Sequence, residues 1–268
     1  YLVMGVDRYG EIKKTDEYIG MGQCDAIYLL VLDSGNKKCS VLQLDRDAMV
    51  EMNILGVFGD VVGSEVQQLA LAHAYGDGGA LSCKNCVDAI SKWLKGIPVS
   101  GYAALQFDAL AILNDDIGGV EVYIEDDWSS VDSSLIKGSS VKLLGEHAFN
   151  FVHARQGMPD DNNTSRMRRQ RTYLSSFRTE FTEMFKKSSG IVNTMYSDVK
   201  PYMCTDMSLG TISNIAAKTI DYSFAGFVNI KGTSKVATHS SGLEFVEFWA
   251  DEASLNETVI NLFCREVR

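Results

Sequence analysis

Two groups of residues in this 268-residue chain carry charge in patterns suited to phosphate chemistry. The first is acidic. Asp7 closes the opening apolar run, Asp25 begins a second, and Asp45-Arg46-Asp47 ends a third. If those runs are neighbouring strands, their ends present carboxylates along a sheet edge. That donor set suits Mg2+, which takes oxygen ligands and keeps several waters. Each aspartate taken singly reads equally well as a turn cap. The second group is basic. Six of the ten arginines fall between Arg155 and Arg178, and Arg166, Arg169 and Gln170 stand at i, i+3 and i+4, one face of a helix. Asn163, Thr164 or Ser165 can cap that helix. Guanidinium groups at a helix start oppose the helix dipole. An anion bound there reverses the penalty, because a helix N-terminus attracts negative charge and arginine grips phosphate in a bidentate fork. A diphosphate fits both groups. A solvated basic helix face is the plainer alternative.

Common catalytic signatures are missing: the sequence has no G-x-x-x-x-G-K-[ST], no H-E-x-x-H and no G-x-S-x-G. Gly76-Asp77-Gly78-Gly79 reads as punctuation of a helix end. His73, His147, His153 and His239 share no ligand spacing, so each reads alone as structural.

The elements that must position these residues alternate between strand and helix. Residues 1–7 predict a strand, 8–22 a loop, and 26–32 and 39–44 a hairpin around Ser34-Gly35-Asn36. Helical spacing predicts helices over 66–75 and 83–95. A strand at 102–105, a short helix at 108–115 and a strand at 120–124 follow. Further helices are predicted over 144–154 and 165–187, the second with Leu174, Phe177, Phe181 and Met184 on one face. Pro159 falls in the loop between them. A helix near 209–219, strands at 224–230 and 243–248, and a helix from Ser254 complete the chain. The interleaving predicts an α/β fold of α-β-α layers, and the early hairpin makes its central sheet mixed.

Bulk properties set the class. Hydrophobic residues make up 46% of the chain and charged residues 22%, enough apolar surface for one large domain over 1–268. A net charge of -10 argues against nucleic acid as a partner. No run of 18 apolar residues occurs, so no membrane span is predicted. Tyr1 opens directly into a strand, which suggests that a targeting or anchoring segment precedes it. Cys83 and Cys86 form a C-x-x-C pair that can bridge locally if the protein is exported, and Cys24, Cys39, Cys204 and Cys264 read as buried thiols.

Eight segments, in order, resemble the LytR–CpsA–Psr family. They are Gly5-Val6-Asp7, Cys24-Asp25, Leu44-Asp45-Arg46-Asp47, His73-Ala74-Tyr75-Gly76, Gly118-Gly119-Val120, Leu144-Gly145-Glu146-His147-Ala148, Val152-His153-Ala154-Arg155 and Arg166-Met167-Arg168-Arg169-Gln170. All lie in residues 1–185. The resemblance implies an α-β-α fold with a hydrophobic pocket for a polyprenyl chain. It implies a phosphotransferase that moves an anionic glycopolymer, such as wall teichoic acid or capsule, from a polyprenyl-pyrophosphate carrier onto peptidoglycan. It also implies Mg2+ held by Asp7 and Asp25. Arg46, Asp47, Arg155, Arg166, Arg169 and Gln170 would be the catalytic set. Apolar side chains of the helices at 66–75, 83–95 and 108–115 are candidates for the lipid pocket. The implied setting is the outer face of the membrane of a Gram-positive bacterium, with an N-terminal anchor. Where the family usually has Arg, Arg and Asp, this chain has Gln23, His153 and Asn163, which would then serve as substrate-binding positions. Asp45 replaces a proline and Ala70 stands near the place of a lysine. With fewer arginines, two further readings stand beside transfer: a protein that binds the lipid pyrophosphate without turnover, and a pyrophosphatase with water as acceptor.

Overall fold

The computed structural model describes residues 1–12, 22–158, 162–239 and 241–264. Pro159, Asp160, Asp161 and most of the loop predicted over 8–22 lie outside the described residues. In chain order the elements begin with β1 (Leu2–Val6), β2 (Cys24–Asp33), β3 (Lys38–Leu44), β4 (Met49–Leu55), β5 (Val61–Gln68), α1 (Ala80–Trp93), β6 (Tyr102–Gln106) and α2 (Phe107–Asp116). They continue with β7 (Val120–Tyr123), β8 (Ser140–Leu143), α3 (Glu146–His153), α4 (Asn163–Lys187), α5 (Ile191–Val199) and β9 (Met203–Thr205). Last come α6 (Leu209–Asp221), β10 (Ser223–Asn229), β11 (Gly232–Thr238), β12 (Glu244–Ala250) and α7 (Glu252–Phe263). Two compact units result. One comprises Tyr1–Gln106, Met203–Ser208 and Ala217–Arg268, the other Phe107–Tyr202 and Leu209–Ala216.

The first unit is built on a six-stranded sheet of order β10-β3-β2-β1-β6-β9. β1 runs parallel to β6 and β3 parallel to β10, while the other neighbours are antiparallel. The mixed α/β fold and mixed central sheet are therefore as the alternation of elements predicted. The β2–β3 hairpin turns on Asp33, whose Oδ1 accepts from Gly35 N at 3.0 Å and Asn36 N at 3.1 Å. Leu2, Met4 and Val6 alternate inward along β1 and meet Ile27, Leu29 and the α1 residues Ala89 and Ile90. Each large side chain buried in this way contributes roughly 1.5–3 kcal/mol. Asp77 punctuates the start of α1: its Oδ1 accepts from Gly79 N (2.8 Å), Leu81 N (3.1 Å) and Ser82 N (3.3 Å). A side-chain carboxylate thus takes the donors that a phosphate would need.

The helix predicted over 66–75 is not formed. β5 runs through Gln68, and a single 3-10 turn follows at Leu69–Ala72. Leu69, Ala70 and Ala72 are buried, which mimics helical spacing. The β-branched Val61, Val62 and Val66 instead register against β4, from Met49 opposite Gln68 to Leu55 opposite Val61. Cross-strand pairing overrides the local pattern. The β4–β5 hairpin is separate from the main sheet, and its tip exposes Val57 and Phe58, the latter 94% open to solvent. All six cysteines are free, so the Cys83–Cys86 bridge is absent. Cys204 is only partly buried and Cys264 is exposed beyond α7, against the expectation that both are buried.

The second unit packs α2, α3, α4 and α5 with the β7–β8 hairpin. Val120, Val122, Ile124, Trp128, Phe151 and Tyr173 fill its core, and the predicted α4 stripe of Leu174, Phe177, Phe181 and Met184 packs against them. Gly119, at φ 90°, must be glycine: a Cβ there would sit 2.8 Å from Leu143 O. Tyr173 Oη donates to Asn114 Oδ1 at 3.1 Å, and Asn114 Nδ2 donates to Leu143 O at 2.9 Å, which ties α4, α2 and β8 together.

Candidate functional site

In the first unit, the ends of β1 and β3 and the start of β2 gather the predicted acidic residues. Asp7 follows β1, Gln23 and Asp25 lie at the entry to β2, and Arg46 and Asp47 follow β3. Arg46 is the hub. Its Nη2 donates to Gln23 Oε1 at 2.5 Å, and its Nε lies 3.2 Å from Asp25 Oδ1 and 4.0 Å from Asp47 Oδ1. Asp7 Oδ1 accepts from Gln23 N at 2.5 Å. Burial pushes the Asp7 carboxyl above its usual range. The Asp25 charge pushes the same way, while the Gln23 amide and Arg46 oppose it.

Two residues outside the acidic set fix this cluster. His73 Nδ1 lies 2.9 Å from Gly22 O, and burial lowers its pKa, so the neutral ring donates from Nδ1 and pins the segment that carries Gln23. Gly22 has φ 101°, and a Cβ there would meet Arg8 Cδ at 2.9 Å. Gln68, at the end of β5, donates from Nε2 to Asp47 Oδ1 at 3.0 Å and to Val246 O at 2.7 Å. Spacing could not reveal Gln68, because its position depends on strand pairing and on a contact with a residue 178 positions away. Of the other histidines, His147 Nδ1 meets Asp132 Oδ2 at 2.7 Å, and His239 Nδ1 lies 2.9 Å from Ser241 Oγ.

The basic set lies in the second unit. Asn162, not one of the three residues after it, caps α4, its side chain accepting from Ser165 N at 2.8 Å. Arg166 is 3% exposed and donates from Nη2 to Asn163 Oδ1 at 2.8 Å. Arg169, also 3% exposed, donates from Nε to Phe151 O at 3.3 Å and from Nη2 to Ala154 O. Its Nη1 lies 3.6 Å from Asp126 Oδ2, and its guanidinium sits 5.4 Å from the Trp128 ring centroid. Burial pulls the Arg169 pKa down, against the Asp126 charge. Gln170 Nε2 donates to Val152 O at 3.3 Å. Arg169 and Gln170 thus satisfy carbonyls at the C-terminal end of α3, which is followed by Arg155. His153, the last residue of α3, stacks on Phe149 at 4.7 Å and meets Phe107 edge-on at 4.9 Å. Arg168 pairs with Glu125 and, at 2.6 Å, with Asp126. Those two carboxylates offset much of the charge in this basic run, and sequence reading missed them.

The first cluster has the chemistry to take a hard cation. Asp7, Asp25 and Asp47 set three carboxylates around the guanidinium of Arg46, and Asp7 and Asp25 are close enough to feel each other's charge. Among the described residues no three His, Cys, Asp or Glu side chains form a ready-made metal cage. One or two carboxylates, with water and phosphate oxygens for the rest, is the set Mg2+ accepts.

A family model described as the LytR_cpsA_psr family matches residues 1–253. The chain is 27% identical over 161 residues to the polyisoprenyl-teichoic acid–peptidoglycan teichoic acid transferase TagV of Bacillus subtilis (strain 168), covering 58% of this chain and 37% of that protein. It is 24% identical over 221 residues to the transferase of the same description, TagU, of Enterococcus faecalis (strain ATCC 700802 / V583), covering 82% and 64%. Each alignment spans less than two thirds of the relative's own length. The solved structure "TagT bound to LI-WTA" superposes with a TM-score of 0.70 at 20% identity, over 97% of this chain and 87% of that one. At that identity the likeness shows the fold.

Proposed function

The chain belongs to the LytR–CpsA–Psr family, and from that premise we propose that it transfers an anionic glycopolymer from a polyprenyl-pyrophosphate carrier to peptidoglycan. The observation that carries the reading is the family match over residues 1–253. The chemistry of the two polar clusters supports it. Asp7 and Asp25 would hold Mg2+, whose charge, when bound, offsets that of the diphosphate. Arg46, Arg155 and Arg166 would stabilise charge that builds on the transferred phosphorus and on the leaving polyprenyl phosphate. Gln23, His153 and Asn163 would contact substrate. Arg169 and Gln170 hold the end of α3 and so orient Arg155. A sugar hydroxyl of peptidoglycan would attack phosphorus, and Asp25 or Asp47 would take its proton. The P–O bond to the polyprenyl phosphate breaks as the new one forms. The relatives' names support an acceptor and donor of this class. A lipid pocket, a site of action outside the membrane and a membrane anchor belong to the same proposal. No helix among the described residues is long and apolar enough to cross a membrane.

A second reading has its own observation. Arg46 is engaged with Gln23, Asp25 and Asp47, and Gln23 stands where the family usually has arginine. Such a cluster could bind a lipid pyrophosphate without turnover. Incubation with a polyprenyl-pyrophosphate glycan, Mg2+ and peptidoglycan oligomers separates the readings. Transfer predicts polymer on the oligomers and free polyprenyl phosphate. Glycan phosphate released without oligomers would point to a pyrophosphatase, and tight binding without product to a carrier.

A further inference from the structure

A line of polar contacts runs from the core of the first unit to its acidic cluster. It begins at Cys83 on α1, which is fully buried. Cys83 Sγ lies 3.9 Å from His73 Nε2, and the other ring nitrogen, Nδ1, lies 2.9 Å from Gly22 O. Gln23 follows Gly22 and is tied to the cluster at three points. Its N–H donates to Asp7 Oδ1 at 2.5 Å, its carbonyl accepts from Asp7 N at 2.9 Å, and its Oε1 accepts from Arg46 Nη2. The α1 end of the line is anchored as well. Asn85, also on α1, donates from Nδ2 to Ala72 O at 2.9 Å and to Asn53 O at 3.1 Å. The turn that leads into His73 is thereby fastened to the helix that carries Cys83 and to β4.

Elementary chemistry orders the protons along this line. A carbonyl oxygen only accepts, so Nδ1 must carry the hydrogen that faces Gly22 O. His73 is 2% exposed, and burial keeps its ring neutral. A neutral imidazole has one N–H, so Nε2 holds a lone pair and needs a donor. The Cys83 S–H is the donor in reach. Cys204 lies beside Cys83 too, but a thiol there has a proton of its own to give, whereas Nε2 has none. We propose that Cys83 and His73 form a positioning dyad: Cys83 S–H donates to Nε2, Nδ1–H donates to Gly22 O, and Gln23 is thereby set so that it holds Asp7 and Arg46 in register. Neither residue of the dyad touches substrate. The arrangement requires Cys83 as a free, protonated thiol, which gives this half of the C-x-x-C pair a use other than bridging. Only the effect on transfer rests on the proposed function; the order of donors and acceptors rests on the contacts themselves.

The test follows the whole isotope-labelled chain by NMR, with the His73 ring signals assigned by their loss in His73→Asn. The ring is expected to show a protonated Nδ1 and a bare Nε2. The Gln23 amide proton is expected far downfield, as a short bond to a carboxylate requires. Cys83→Ala should move the Nε2 resonance towards that of a lone pair without a donor. His73→Asn keeps an N–H where Nδ1 stood, so it should keep the downfield Gln23 amide and most of the transfer. His73→Gln carries its amide to the place of Nε2, so it should move the Gln23 amide upfield. It should also lower kcat about 100-fold with KM little changed, the scale of an ångström of misplacement. Cys83→Ala removes one buried sulfur and serves as the test where His73→Gln does not fold. A protonated Nε2 with a bare Nδ1, an Nε2 resonance indifferent to Cys83→Ala, or a Gln23 amide unmoved by His73→Gln would overturn the proposal. So would a fall in Tm alone with the Gln23 amide in place, which is the mark of a packing residue. The expected spectra from a chain that forms no product would tell against the transferase reading alone.

Discussion

Replacing Arg169 tests whether an arginine from the basic run works by holding α3. Arg169→Ala removes the donors that reach Phe151 O and Ala154 O, and it removes a charge beside Asp126. Asp126 keeps Arg168 as a partner at 2.6 Å, so its own loss is partial. The two carbonyls lose the donors that Arg169 supplies. Leaving each unsatisfied costs about 1–3 kcal/mol, so the lower end for both plus the weakened ion pair gives about 3 kcal/mol. For a chain of this size that lowers Tm by roughly 6–12 °C, at about 2–4 °C per kcal/mol. Arg169→Lys keeps a charge but presents one nitrogen in place of a fork, so it should fall between wild type and alanine. The assay is thermal unfolding followed by circular dichroism, with transfer measured well below the new Tm. A Tm within about 2 °C of wild type for the alanine variant, together with abolished transfer, would refute the clamp and make Arg169 a direct phosphate ligand.

Arg166→Ala is expected to weaken binding of a soluble diphosphate at least about tenfold while lowering stability by only about 1 kcal/mol, the scale of one hydrogen bond; unchanged affinity in calorimetry would count against the site. Asp7→Asn and Asp25→Asn should each raise the Mg2+ concentration needed for half-maximal transfer by roughly 10–100-fold, since each removes a unit charge beside a divalent ion, and identical Mg2+ titration curves would exclude both as ligands. Asp116 on α2 has its pKa raised by burial and then by Asp198 on α5. A carboxyl raised on folding binds more protons in the native state, so stability falls as pH climbs from the unfolded value of about 3.9 through the folded one. Asp116→Asn should therefore stabilise the protein at pH 7 and lose that gain below pH ~4, and a gain that persists in acid would contradict the assignment. Asp251→Ala removes the α7 cap, which accepts from Ser254 N at 2.8 Å, and should cost about 1 kcal/mol in urea denaturation; no change in midpoint would show the cap to be idle.

Legibility in the sequence followed the range of the interactions. β1, the β2–β3 hairpin, α1, α3 and α4 were readable because their apolar periodicity and punctuation are local. The β4–β5 pair was misread in part as a helix, since Leu69, Ala70 and Ala72 carry helical spacing but follow a strand whose partner lies upstream. β9 has only three residues, too few for any pattern. Candidate site residues showed the same split. Asp7, Asp25, Arg46 and Asp47 were visible because they flank apolar runs, and the structure sets Asp25 and Asp47 beside Arg46 and Asp7 on the Gln23 amide. Gln68, which holds Asp47, has no local mark, and neither does Asp126 beside Arg168 and Arg169; His73 falls in one of the eight segments, but its hold on Gly22 O depends on a contact 51 positions away.

The tongue formed by β4 and β5 bears on how the protein behaves in concentrated solution. Val57, Phe58, Val61, Val62 and Val66 all stand open to water there. Molecules carrying a net charge of -10 repel one another and keep such tongues from touching. Added electrolyte shortens that repulsion to about 3 Å at 1 M. Light scattering should then rise with ionic strength, and a lysine in place of Phe58 should suppress the rise.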